Sequence, residues 1–232
     1  MNAIITGATK GIGRAIALIL ADAGYNIAIC ARSQPDIDDL CNEIKETYQV
    51  QAIGLQTDCS NSSQLNHFAD FVQQHFPTVE VLVNNAGMYI PGTILDEPDN
   101  LLQEQLQLNL FAAHSLCRIF GKKMRENKNG HIFNICSIAA IKPVVTAGSY
   151  TVTKVALLGL TRVLRDELMP YNVKVTAILP GSTLTASWEG TDLPPDRFVT
   201  ASDVANAILA SLKMSKGANV DEVVIRPLKG EI

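Results

Sequence analysis

Short runs rich in Val and Ile alternate along the chain with longer stretches in which apolar residues return every three or four positions. The runs fall at residues 2–6, 26–31, 50–57, 79–84, 130–137, 173–179 and 220–226. They are mostly apolar rather than alternating, the pattern of strands covered on both faces in a parallel sheet. Helical periodicity fills the intervals at 12–23, 36–48, 60–75, 100–127, 149–169 and 202–213. Gly24 reads as a stop for the first helix and Pro170 for the long one, with Ser60 and Ser202 as N-caps. Strand and helix in strict alternation predict an α/β fold with a doubly wound sheet and helices on both faces. The one long irregular stretch, 182–199, carries Trp188, Gly190, Pro194 and Pro195 and reads as a substrate lid, with a plain surface excursion as its alternative.

With 232 residues and 47% hydrophobic content, the chain suits a single domain over 1–232 with a continuous core. A formal charge of −4 with no basic run argues against nucleic acid as a partner. No stretch approaches the ~18 uninterrupted apolar residues of a membrane span. The first strand begins almost at the start Met, which leaves no room for a signal peptide and points to the cytoplasm. Five cysteines, an odd number without CxxC spacing, read as free thiols in a reducing compartment and not as disulfides or metal ligands.

Two features carry chemistry. The turn TGATKGIG at 6–13 ends a strand and opens a helix. Glycine serves there where backbone must turn with positive φ or approach a phosphate, and the helix N-terminus offers free N–H groups to a pyrophosphate. Tyr150 and Lys154 lie at i and i+4 in SYTVTK, on one face of a helix. A cation beside a phenol favours the ionised form, so a tyrosine placed this way can exchange a proton near neutral pH. Strand two ends IAICARS, with Arg32 and no acid, while Asp36 reads as the start of the next helix. Arg32 and Lys10 together suit a ribose 2′-phosphate, which predicts NADPH.

These residues resemble the short-chain dehydrogenase/reductase family. Its TGxxxGxG turn matches 6–13, its NNAG matches Asn84-Asn85-Ala86-Gly87, and its helix asparagine matches Asn109 in LQLNLF. Ser137, Tyr150 and Lys154 fall at the family spacing, and Pro180-Gly181 with Thr185 fits PGxxxT. The resemblance implies a single Rossmann-type sheet of seven strands ordered 3-2-1-4-5-6-7. It implies Tyr150 as proton donor, Lys154 as its partner and ribose anchor, Ser137 as donor to the substrate carbonyl, and Asn109 as anchor of a relay water. It further implies nucleotide contacts from Gly7, Thr9, Lys10, Gly11, Ile12, Gly13, Asp58, Cys59, Asn85, Ala86, Gly87, Pro180, Gly181, Thr183 and Thr185, beside Arg32. Met88, Tyr89, Val144, Val145 and Trp188 form the expected apolar wall, which suits a ketone or 1,2-dicarbonyl with a flat or hydrophobic part; Trp188 packing the lid onto the body is the alternative. The ending NVDEVVIRPLKGEI lacks the ITGxxxxVDGG of 3-oxoacyl-carrier-protein reductases and is similar to sepiapterin-reductase-like and broad carbonyl reductases. Acyl-thioester or 3-hydroxy-acid chemistry, and a non-catalytic dinucleotide-binding regulator, are the alternatives. Apolar residues on more than one face of 100–127 and 149–169 predict a homodimer or homotetramer.

Overall fold

The Val- and Ile-rich runs hydrogen-bond side by side into one seven-stranded parallel sheet, ordered β3-β2-β1-β4-β5-β6-β7. The computed structural model describes every residue except Ala186, Ser187 and Glu189, so those positions of the 182–199 stretch lie outside the described residues. The strands are β1 (Asn2–Thr6), β2 (Asn26–Ala31), β3 (Ala52–Gln56), β4 (Val81–Asn84), β5 (Gly130–Ile135), β6 (Val173–Pro180) and β7 (Glu222–Ile225). The helices are α1 (Gly11–Asp22), α2 (Gln34–Tyr48), α3 (Ser62–His75), α4 (Leu101–Leu106), α5 (Ala112–Asn127), α6 (Gly148–Leu168) and α7 (Ala201–Leu212).

Side chains alternate across each strand, so neighbouring residues feed different cores. Ile5 and Ile29 join Ile16 and Leu20 of α1, Ile37 and Ile44 of α2, and Val204 and Ile208 of α7 on one face. Ile4 and Leu82 join Phe68 of α3, Leu116 and Phe120 of α5, and Val175 on the other. Each such fully buried side chain contributes about 1.5–3 kcal/mol relative to exposure.

Several boundaries differ from the sequence reading, each for a local reason. Asn61, not Ser60, caps α3, because its side chain accepts from the amides of Ser63 and Gln64, while Ser60 is drawn into a turn with Asp58. Thr200, not Ser202, caps α7 in a reciprocal box with Asp203. Gly24 does adopt the left-handed conformation just past α1, at φ +83°. The expected helix 100–127 is three pieces: α4, a π-helical turn at Gln107–Phe111, and α5. All five cysteines are free and buried, and Cys30 Sγ lies 3.6 Å from Cys59 Sγ. Among the described residues no helix is long and apolar enough to cross a membrane.

His131 was not singled out by its sequence context. It is the second residue of β5, buried, bonded through Nε2 to Thr176 Oγ1 at 2.7 Å and stacked on Phe133. Burial, and secondarily the Lys174 charge, lowers its pKa from 6.5 to about 3. A depressed folded-state value means that stability is fully present above pH 6.5 and is lost as pH falls towards about 3. The melting temperature should therefore drop across that window. His131→Gln should lose that part of the slope; an identical acid slope in both proteins would show that His131 is not its source.

Candidate active site

In a sheet of this order, the strand order reverses between β1 and β4, with β2 and β3 laid down on one side and β4 onward on the other, and the crevice outside the strand ends at that point is where such folds take ligands. The loops there are joined by specific bonds. Asn85 Nδ2 donates to the carbonyls of Thr6 and Gly7 at 2.9 and 3.0 Å, and the amides of Asn85 and Ala86 donate to Thr6 Oγ1. Asn85, expected as a nucleotide contact, thus spends its side-chain nitrogen on holding the glycine turn. Gly7 and Gly11 sit at φ +62° and +53°, and a Cβ on Gly13 would run into the Gly7 carbonyl and Asn85 Nδ2. All three positions therefore need glycine. Thr185 closes the turn from the far side, with its Cγ2 at 3.3 Å from where a Gly11 Cβ would lie.

The residues fit a dinucleotide at this edge. Side chains cap α2, α3 and α7, but Lys10 at the N-cap of α1 supplies none. The first amides of α1, from Gly11, Ile12 and Gly13, are the ones a helix leaves without intrahelical acceptors, and they suit an anion. Thr9 is partly buried just before them. Lys10 Nζ is 3.7 Å from Asp36 Oδ2, so Asp36 is more than a helix start: it answers the charge of Lys10 in an exposed, weak pair. Arg32 is exposed, and among the described residues its guanidinium enters no ion pair. Asp58 Oδ1 is held by the amide and hydroxyl of Ser60. The Cys59 thiol turns inward onto Cys30.

Tyr150 and Lys154 share one face of α6, with Lys154 Nζ 5.6 Å from the Tyr150 ring centroid. Lys154 is only 5% exposed and donates to the Ile135 carbonyl at 3.0 Å. Two residues beyond Ile135, Ser137 Oγ accepts from the amide of Ala139, leaving its own hydrogen free to donate. Gly87 passes between Asn109 and Lys154: a Cβ there would be 3.2 Å from Asn109 Oδ1 and 3.6 Å from Lys154 Nζ. Asn109 lies inside the π-helical turn, a form often found at functional sites. Its Oδ1 accepts from the Met88 amide, and its Nδ2 donates to the Met88 carbonyl and Thr153 Oγ1. Both amide hydrogens of Asn109 and one acceptor position of its Oδ1 thus join the β4 loop to α6.

The expected wall is only partly assembled. Tyr89 meets the Tyr150 ring edge-on at 5.0 Å and is half-exposed. Met88 and Val144 are half-buried nearby in sequence to these elements, and Val145 is largely exposed. Trp188 packs edge-on against buried Phe198 at 5.0 Å, which favours the packing alternative. The 182–199 stretch is pinned by a bridge between Thr183 and Val199 and contains a 3-10 turn at Pro195–Arg197. Thr183 Oγ1 also donates to the Gly181 carbonyl.

One participant escaped the sequence reading. Glu231 accepts from the Ser182 amide and hydroxyl and from Arg226, and its carboxylate fills the space a Gly181 side chain would need. Burial pushes its pKa up, but the hydrogen bonds from Arg226 and Ser182 outweigh that and hold it below the usual carboxylate range. Nothing around it in sequence marks it out, because its partners lie on other elements.

The short chain dehydrogenase family model matches residues 1–193. The chain belongs to that family. It is 30% identical over 226 residues to an uncharacterized oxidoreductase of Staphylococcus epidermidis, covering 97% of this chain and 96% of that one. Its structure is similar to an alcohol dehydrogenase from the archaeon Thermococcus sibiricus complexed with 5-hydroxy-NADP, with a TM-score of 0.91, 26% identity, and coverage of 100% and 98% of the two chains. It is also similar to L-sorbose reductase from Gluconobacter frateurii complexed with NADPH and L-sorbose, at 0.90, 27%, and 97% and 95%.

Proposed function

We propose that this protein is an NADPH-dependent reductase of ketones or dicarbonyl compounds, with Tyr150 as the proton donor. One observation carries the reading: the buried Lys154 ammonium lies 5.6 Å from the Tyr150 ring at the strand-end crevice. NADPH, bound along the glycine turn, supplies the hydride. The uncapped amides of α1 take its pyrophosphate, and Arg32 takes its 2′-phosphate. The NADPH complexes of related structures support that choice. Ser137 donates to the substrate carbonyl and fixes its orientation. Tyr150 gives its proton to the oxygen as negative charge develops there, and Lys154 stabilises the phenolate left behind. Gly181, Ser182 and Thr183 wall the far side, held by Glu231. The half-exposed Tyr89 ring, edge-on to Tyr150, favours a substrate with a flat apolar part, such as an aromatic or pterin-like diketone. Five buried free thiols are consistent with a reducing cytoplasm. The exposed Val155 and Val163, 48% and 65% accessible on α6, favour pairing of this helix with that of a second copy.

In an assay of NADPH oxidation with a panel of diketones and 3-oxoesters, Tyr150→Phe should bind NADPH as the parent does yet turn over at least ~100-fold more slowly. Comparable turnover would remove Tyr150 as donor, and no turnover by the parent on any carbonyl would favour a regulator. Arg32→Asp should weaken NADPH at least about tenfold and spare NADH, since a charge-assisted pair is lost; unchanged NADPH affinity would contradict the 2′-phosphate assignment. Light scattering at micromolar concentration should give a multiple of 25.1 kDa, and a stable monomer would count against the α6 pairing.

A further inference from the structure

Beyond β7 the chain doubles back onto both ends of the 182–199 stretch. Pro227 is buried, the Gly230 amide donates to the Pro227 carbonyl at 3.0 Å, and Gly230 sits at φ +88°. The turn so formed carries Lys229 and delivers Glu231 to Ser182. Lys229 Nζ lies 3.1 Å from Asp196 Oδ2, in the 3-10 turn near the far end of the stretch. The two contacts are unequal. Lys229 and Asp196 are 60% and 66% exposed, and such a pair contributes little. The Glu231 side chain is only 20% exposed and accepts charge-assisted bonds from the Ser182 amide, the Ser182 hydroxyl and Arg226 Nε. Ser182 commits all its polar groups here, since its carbonyl accepts from the Val199 amide at 2.9 Å. It stands between Gly181 and Thr183, and Thr185, three residues on, lies against Gly11.

We infer that Glu231 is a positioning residue for coenzyme retention: it clamps the turn 181–185 against the glycine turn, so that bound NADPH leaves more slowly. The backbone alone already joins Gly181 to β7, because its amide donates to the Ile225 carbonyl at 2.7 Å. A sheltered carboxylate added to such a turn carries a desolvation cost, which the bonds from Arg226 and Ser182 offset. That cost is met at one place, Ser182, the residue from which Thr183 and Thr185 follow. Gly181 shows how closely the parts fit. A Cβ there would lie 2.6 Å from both carboxylate oxygens of Glu231, so a side chain at 181 must push the carboxylate off Ser182. The line of contact runs from Arg226 through Glu231, Ser182 and Thr185 to Gly11, beside the amides assigned to the pyrophosphate. Loosening it frees the turn without touching Tyr150 or Lys154. The inference rests on NADPH lying along the glycine turn, and not on the role of Tyr150.

The test measures NADPH affinity by its fluorescence, and NADPH release by stopped-flow displacement, on the full-length protein. Glu231→Ala should weaken NADPH at least about fivefold, chiefly through faster release, and leave kcat at saturating coenzyme undiminished. Glu231→Gln, which keeps an oxygen for Ser182 and gives up the charge, should lie closer to the parent than to Glu231→Ala. Lys229→Ala should change the affinity less than about twofold. Gly181→Ala should mimic Glu231→Ala and serves if that variant does not fold, and the double variant should be little worse than either single one. A lower melting temperature with unchanged affinity and release in Glu231→Ala, or full additivity of the two losses, overturns the inference. Unchanged affinity in the variants of a parent that binds NADPH defeats this inference alone. A parent that binds no NADPH defeats the coenzyme reading beneath it as well.

Discussion

A lysine ammonium held almost wholly out of water is the constraint on which the rest of the molecule depends. Burying a cation is costly unless its hydrogens are used. Lys154 meets that demand with the Ile135 carbonyl at the end of β5 and with the Tyr150 ring one turn away on its own helix. Both partners are products of the fold. The carbonyl is positioned because β5 ends at Ile135, and the ring because α6 starts at Gly148. That start is fastened to the β4 loop, since Gly92 exchanges backbone bonds with Thr146 and Gly148 and Glu97 takes the Ser149 hydroxyl. Tyr150 and Lys154 are therefore held from three elements and not by α6 alone.

The same logic applies to the glycine turn. It is held less by its own conformation than by Asn85, which reaches across from β4 and grips two of its carbonyls. Beneath it, Asn84 donates to Asn134, which in turn donates to Thr161 of α6. A chain of amides and a hydroxyl thus joins the strand-end loops at the glycine turn to the helix carrying Tyr150 and Lys154. Conserving that geometry needs small residues at the crossings, which is why Gly13 and Gly87 admit no side chain or only a crowded one.

How much of this could be read beforehand varies with how local its cause is. β1 and β2 are bounded in the structure as their apolar runs end, because Asn2, Thr6 and Asn26, and Arg32 just after Ala31, mark sharp changes in polarity. The sheet order was legible through the family resemblance, and the i, i+4 spacing already placed Lys154 beside Tyr150 on one helix face. The split of helix 100–127 was not, since LQLNLF keeps good helical periodicity and the π turn arises from the tertiary bonds of Asn109 to Met88 and Thr153. The side-chain partners of Asn85 and Asp36 were not legible for a similar reason: Thr6, Gly7 and Lys10 are far away in sequence.

The pairing of β1 carries one more consequence. It lies between β2, which follows almost at once, and β4, which comes about eighty residues into the chain. During synthesis one edge of β1 stays open until residue 84 and the asparagine after it have left the ribosome, and contacts of such sequence separation are slow to close. The phosphate-facing loop is thus made first and finished late. A nascent chain stalled before Asn85 presents one open edge of β1, with its unbonded backbone groups, to its surroundings.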